Sequence, residues 1–239
     1  MGWLWQLLKK SGRSRALRAG LFILLALLLL PYALVVLYRF VNPVSTLMVW
    51  RWMTLQRVER SYVPLTAMAP ALPLTVIAAE DGRYCSHAGV DFQELRGIVE
   101  EAEDFDGLRG GSSITQQTVK NLFLWHGRSY VRKALELPLA LWTDLVLPKR
   151  RVLEIYLNIA EWGPNGQFGA EAAARQAFGK PARNLTAGEA AILAAVLPNP
   201  VRRNARQPPP NIRRLAGVYA ARAAASPWLG DCIRQRRTP

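Results

Sequence analysis

Twenty residues between Arg18 and Arg39, AGLFILLALLLLPYALVVLY, carry no charge. As a helix rising about 1.5 Å per residue they reach about 30 Å, the thickness of a bilayer's hydrocarbon core. In lipid the backbone finds partners only in its own hydrogen bonds, so the segment is predicted as a transmembrane helix over 19–38, with Pro31 tolerated inside it. A cleaved signal peptide would be shorter and followed by a small-x-small site. Here RFVNPVSTLMVWRW follows, and the segment reads as a retained anchor. Lys9, Lys10, Arg13, Arg15 and Arg18 precede it with no acidic residue among them. By the positive-inside rule the N-terminus, 1–18, stays in the cytoplasm and the remainder lies outside.

The net charge of +14 is concentrated at the two ends, with +5 in the first eighteen residues and +8 from Arg202 to Pro239, leaving +1 for the body. That is not the basic stripe that tracks a phosphate backbone, and it argues against nucleic acid as a partner. The stretch 201–239, opening with VRRNARQPPPNIRR, is expected to be a basic C-terminal arm, solvated or close to anionic lipid. Cys85 and Cys232 are far apart in sequence and show no zinc-like spacing. Only folded geometry could join them, and two unpaired thiols are the expectation.

After the anchor, 39–72 is a juxtamembrane segment whose Trp50, Arg51 and Trp52 suit the interfacial belt. It leads through a proline-bearing loop into the apolar run Pro73–Ala79, and from there helical spacing dominates. In DFQELRGIVEEAEDF, Phe92, Leu95 and Ile98/Val99 recur every three to four residues, with acids on the opposite face. SITQQTVKNLFLW, YVRKALELPLALWTDLVL, KRRVLEIYLNIAEW and AEAAARQAFGK continue the pattern. LTAGEAAILAAVL opens with Thr186 as N-cap and Glu189 three residues on, a capping box. Strand-like alternation is nearly absent. The domain over 73–200 is predicted mainly α, with long loops at Asp104–Gly111 and Gly163–Gly169, and a short helix is expected around Ile212–Ala224 in the arm.

Three clusters could carry chemistry. In AAEDGRYCSHAGVDF the apolar run ends in Glu80 and Asp81, with His87 beyond them. A carboxylate at an apolar rim is either a cap held by the backbone or a base of raised pKa. In RGGSSITQQTVKNLFL, Gly110 and Gly111 permit close approach or a positive φ, and Ser112 or Ser113 can cap the helix that follows. Gln116 and Lys120 share a face of that helix. Such an N-terminus suits a phosphate or a sugar carboxylate, and equally suits an ordinary capped helix. In YVRKALE, Arg132 and Lys133 precede Glu136 by four and three residues. On a surface this ion pair would be worth little, but the apolar LELPLALWTDLVL draws Glu136 towards burial. A further group holds Lys149, Glu154, Tyr156 and Asn158, where Glu154 reads as a tie between loops.

In this order and spacing, EDGRYCSHAGVDF, RGGSSITQQTVKNLFL, RKALE and LPKRRVLEIYLNIAEWG resemble the successive motifs of the peptidoglycan glycosyltransferases, the lipid II polymerases found alone or as the first domain of class A penicillin-binding proteins. GPNGQFGAEAAARQAFGK and LTAGEAAILAAVLPNP fit the later motifs, so the likeness runs from Pro73 to Pro200. The length leaves no room for a transpeptidase domain and no S-x-x-K serine motif occurs, so the chain resembles the monofunctional, membrane-anchored form. The resemblance implies a lysozyme-like helical domain with a smaller membrane-facing jaw. It implies Glu80 as catalytic base, Glu136 as second essential carboxylate, and Gln117, Lys120, Arg132 and Lys133 as binders of pyrophosphate and sugar. The same motifs put Asp81, His87, Gly111, Ser113, Thr115, Gln116, Asn121 and Lys149 in the substrate-binding set, although a structural hydrogen bond is the first reading of His87. Tyr84 and Ser113 stand where phenylalanine and threonine are usual. Cys85 reads as packed rather than reactive.

The reaction implied is attack by a 4-hydroxyl of lipid II on the anomeric carbon of the growing glycan, with loss of polyprenyl pyrophosphate and inversion. Cations around Glu136 would meet the departing charge directly or through a divalent metal, magnesium or manganese, for which Glu136 is the candidate ligand. No obligatory cofactor is expected. The implied partners are lipid II, the growing strand and the membrane, with cell-wall synthesis or division proteins as further candidates. The implied place is the bacterial inner membrane, with the catalytic domain in the periplasm. Two rivals stand beside this reading: a muramidase-like hydrolase using a glutamate acid, and a membrane scaffold in which Glu80 and Glu136 serve only as caps or ion pairs.

Overall fold

A computed structural model describes residues 2–101, 111–125, 127 and 129–234. The first helix, α1 (Gly2–Leu37), starts well before the predicted span. Its Leu17–Leu37 stretch has a mean hydropathy of 2.8 and is, among the described residues, the one helix long and apolar enough to cross a membrane. Leucines from Leu21 to Leu30 point outward, as lipid-facing side chains do. The last two turns behave differently. Val35 is fully buried, the Tyr32 ring lies 6.2 Å from that of Trp142, and Tyr38 stacks on Phe123 at 5.9 Å. Trp142 Nε1 donates to the Tyr32 carbonyl (3.1 Å) and Arg151 Nε to the Tyr38 carbonyl (2.9 Å). The anchor is docked on the folded domain.

Next comes α2 (Thr46–Met53), capped by Ser45 Oγ, which accepts from the Met48 amide. It buries Met48 and exposes Val49, Trp50, Trp52 and Met53. The strand β1 (Glu59–Arg60) pairs in parallel with β2 (Gln167–Phe168), Glu59 opposite Gln167. Gly166, at φ +78°, makes the approach possible, because a Cβ there would run into the Arg57 carbonyl. The remaining helices are α3 (Ala71–Glu80), α4 (Phe92–Glu101), α5 (Ile114–Phe123), α6 (Tyr130–Val146), α7 (Lys149–Ile159), α8 (Ala170–Phe178), α9 (Ala187–Val196) and α10 (Pro210–Ala225). The mainly α expectation holds, and the capping box of Thr186 and Glu189 forms at the start of α9. The predicted loop over 104–110, the Gly110 backbone, and the side chains of Ile98 and Val99 lie outside the described residues.

Two apolar clusters share α7 as a wall, and every residue from Val152 to Ile159 on it is buried. Leu153, Tyr156 and Leu157 join the larger cluster, built from α3, α8, α9 and α10. Val152, Ile155 and Ile159 join the smaller one, built from the end of α1 with α2, α5 and α6. On α6 the residues Tyr130, Val131, Leu135, Leu141 and Leu145 remain exposed beside α1. The outer face of α6 is thus apolar while its inner face is packed.

Two expectations are corrected. The stretch 201–239 is, over its described part, no surface arm: α10 lays Ile212 and Ala216 into the larger cluster against α3 and α9, and Leu229 and Ile233 of the turns that follow are buried as well. Ile212, Leu215, Ala216, Tyr219 and Ala223 form a helical stripe that arginines on the other face conceal in the composition. Nor are the cysteines free. The return of the chain after α10 brings Cys232 to Cys85, Cα atoms 5.4 Å apart, and the two form a disulfide.

Candidate active site

The helix α3 is apolar through Ala79 because it lies within the larger cluster, and it ends at the seam between the clusters, where Glu80 stands half-buried. The adjacent carboxylates part company there. Asp81, as C-cap, turns under the site: its Oδ2 accepts from the Ile114 amide at the start of α5 (2.9 Å), and its Oδ1 pairs with His87 Nε2 (2.9 Å). Glu80 stays half-buried at the cavity edge, where its Oε2 accepts from Gln117 Nε2 (2.8 Å). Burial pushes the Glu80 carboxyl up from its usual range, against the opposing pull of the Gln117 hydrogen bond and of Lys120 and Arg203.

The start of α5 is a capping box: Ser113 Oγ accepts from the Gln116 amide and Gln116 Oε1 accepts from the Ser113 amide. Ser113 Oγ donates in turn to the carbonyl of Gly89 (2.5 Å). Gly89 is at φ +81°, and a Cβ there would meet the Ala140 carbonyl of α6 at 2.5 Å. These contacts hold the segment after Glu80 against α5 and α6. They also place part of the predicted substrate-binding set in the frame. Gln116 and Thr115 are buried, Thr115 beside Asp144. Lys149 pairs with Asp144 (2.7 Å) beneath the Tyr84 ring. His87 is locked to Asp81, and Asp81 and Ser113 edge a cavity with their polar atoms already committed. The groove itself receives Glu80, Gly111, Ser112, Gln117, Lys120 and Asn121.

On α6, Glu136 is buried and both its oxygens are held, Oε2 by Arg132 and Oε1 by Lys133 Nζ (2.7 Å). Lys133 Nζ also donates to Ser112 Oγ (2.9 Å), while the Ser112 carbonyl accepts from Gln117 Nε2 (3.4 Å). Ser112 and Gln117 thus join the Glu136 group to Glu80. Lys120 lies in the field of both carboxylates, and burial draws its pKa down while Glu136 and Glu80 pull it back up and Arg132 and Lys133 depress it. Among the described residues no carboxylate comes within ion-pair distance of Lys120, which leaves its charge available to a ligand. A cavity of about 260 Å³ opens beside it, lined by Gln117, Lys120, Asn121, Tyr156, Leu197 and Asn199 among others, and a second of about 130 Å³ opens over Glu80 towards Glu94 and Arg222.

Sequence reasoning missed the contribution of the C-terminal segment. Arg203 is anchored on the Ala195 carbonyl (2.6 Å) and acts electrostatically on Glu80. Arg222 donates to the Ala78 carbonyl (3.0 Å), and Tyr219 of α10 also feels Glu80. The apolar stripe of α10 was the available signal for its docking, and nothing in the spacing marks Arg203. The tie assigned to Glu154 is present: it accepts from the Leu65 amide, Tyr62 and Arg151.

The sequence profile of the transglycosylase family matches residues 48–224. The chain belongs to this family. Among its relatives, proteins named biosynthetic peptidoglycan transglycosylase are 57% identical over 223 residues in Nitrobacter hamburgensis (93% of this chain, 98% of the relative) and 56% identical over 224 residues in Rhodopseudomonas palustris strain TIE-1 (94% of each). The relative of that name from Rhizobium meliloti is 49% identical over 231 residues (96% of this chain, 97% of the relative). In this transglycosylase, Glu136 does not suit a divalent metal, because an ion at its oxygens would face the two cations already there. Asp81, His87 and Asp91 gather ligand atoms within 4.8 Å, yet Asp81 caps α5 and Asp91 caps α4 through the Gln93 and Glu94 amides.

Proposed function

We propose that this chain polymerises lipid II into β-1,4-linked glycan strands, with Glu80 as the base. It is a peptidoglycan glycosyltransferase by family and by the names of its relatives. The observation that carries the mechanism is the desolvated Glu80, hydrogen-bonded to Gln117 in a groove that also holds Lys120, with the Arg132–Lys133–Glu136 group joined to it through Ser112. A sugar hydroxyl attacks only as its proton is taken, and a carboxylate of raised pKa takes it well. The 4-hydroxyl oxygen of the acceptor bonds to the anomeric carbon of the donor, its proton passes to Glu80, and the donor's bond to pyrophosphate breaks with inversion. The departing diphosphate is met by Lys120, Arg132 and Lys133, with Glu136 fixing the last two. Fixed cations in a partly dry groove stabilise such charge without reorganising.

The span and the apolar faces of α2 and α6 support a groove at the surface of the inner membrane, within reach of a prenyl-linked substrate. The Cys85–Cys232 disulfide supports a periplasmic catalytic domain, since such bonds persist in oxidising compartments. The test is the full chain in liposomes with lipid II. Wild type should lengthen strands and Glu80→Gln should lose about 10²–10⁴-fold in rate. Undiminished polymerisation by Glu80→Gln, or cleavage of finished strands with lipid II untouched, overturns the proposal.

A further inference from the structure

Behind Gln117 stands Tyr156 of α7, 2% exposed, whose hydroxyl donates to Gln117 Oε1 (2.9 Å). The amide of Gln117 is therefore held at both ends: its oxygen takes the tyrosine proton, and its nitrogen donates to Glu80 (2.8 Å) and to the Ser112 carbonyl (3.4 Å). Among the described residues the Tyr156 hydroxyl has no other hydrogen-bond partner. Were the amide to turn over, both contacts of its nitrogen would fail and the phenol would have to change from donor to acceptor. The phenolic proton would lose its acceptor inside the core, and the amide oxygen would face both the Ser112 carbonyl and the Glu80 carboxylate.

We infer that Tyr156 is a positioning residue for the transfer reaction, fixing Gln117 in the one amide orientation that donates to Glu80 and so keeping the base ionised and aimed. The inference rests on Glu80 being the base. A donor hydrogen bond favours the charged carboxylate, whereas an amide oxygen in its place would favour the protonated acid, which cannot accept a proton. Every element around Glu80 contributes to this balance. Asp81 is adjacent just past α3, Lys120 faces it from α5, and Arg203 from the segment after α9. Tyr219 and Arg222 stand on α10, Asp91 and Glu94 lie across the smaller cavity, and Glu136, Arg132 and Lys133 act through Lys120. Of these neighbours Gln117 alone is hydrogen-bonded to Glu80 among the described residues, and the Tyr156 hydroxyl holds the far end of that amide.

The experiment is the pH profile of kcat/KM for lipid II polymerisation by the full chain in liposomes, for wild type, Tyr156→Phe, Gln117→Leu and the double variant. Removing the hydroxyl releases the oxygen end of the amide and loosens its donation to Glu80, so the acid limb of Tyr156→Phe should move up by about one pH unit, with roughly tenfold loss on that limb and recovery at higher pH. Gln117→Leu should move the limb at least as far, and adding Tyr156→Phe to it should move it no further. A uniform loss at every pH, or an unmoved limb in Tyr156→Phe, overturns the inference while leaving Glu80 as base. Should Tyr156→Phe not fold, an unmoved limb in Gln117→Leu overturns it equally. Activity retained by Glu80→Gln would instead remove the mechanism on which it rests.

Discussion

Replacing Glu80 with glutamine removes a charge from a position where burial already disfavours it. A carboxylate whose folded pKa lies above its unfolded value binds its proton more tightly in the native state, so it subtracts stability as pH rises through that interval. At neutral pH Glu80 is thus a liability to the fold, held in place by Gln117 and the surrounding cations. Alongside its lost activity, Glu80→Gln is expected to melt no lower than wild type at pH 7, and calorimetry of the two proteins checks this. A fall of several degrees would mean that Glu80 is a structural ion after all. Asp81→Asn, by contrast, should lower the melting temperature, since Asp81 satisfies the Ile114 amide and His87 in the interior.

Between elements, one contact that ties α2 to the body is an ion pair: Arg51 Nη2 meets Glu161 Oε1 at 2.6 Å, both side chains largely buried, with the guanidinium over the Phe168 ring. Burial raises the Glu161 pKa and Arg51 counters it. Arg51→Ala leaves that carboxylate unpaired and is expected to cost roughly 1–3 kcal/mol in denaturant titrations, most of it recovered when Glu161→Gln is added. At this scale the sequence was most informative. The periodicity of α5, α6, α7 and α9 and the box at Thr186 come from local spacing, and so does the pairing of Arg132 and Lys133 with Glu136. Glu80 was legible from an apolar run that stops at a carboxylate. What local spacing could not supply was any partner chosen by tertiary packing. Arg203 beside Glu80, Tyr156 behind Gln117, and the capping duty of Gln116 in place of a ligand contact all depend on how helices meet, and the α10 arginines masked an apolar stripe that net charge alone does not reveal.

For the whole molecule, two long-range links decide how the parts move together. The disulfide joins the turn after Glu80 to the chain beyond α10, across 147 residues. Cys232→Ser is expected to lower stability by roughly 2–4 kcal/mol in denaturant titrations, because the unfolded chain regains the freedom that the cross-link removes. The other link is the docked end of α1. Val35→Ala opens a void against α6 and should lower stability by roughly 1–3 kcal/mol, whereas Leu24→Ala, on the exposed stretch, should leave the melting of the domain unchanged. Equal behaviour of the two variants would show that the span is only a leash. A docked span also has a steering consequence: with Tyr32, Val35 and Tyr38 wedged against Trp142 and Phe123, any torque applied to it within the bilayer rotates the groove by the same angle, so the heading of each nascent strand is set by whatever grips the membrane-buried rod.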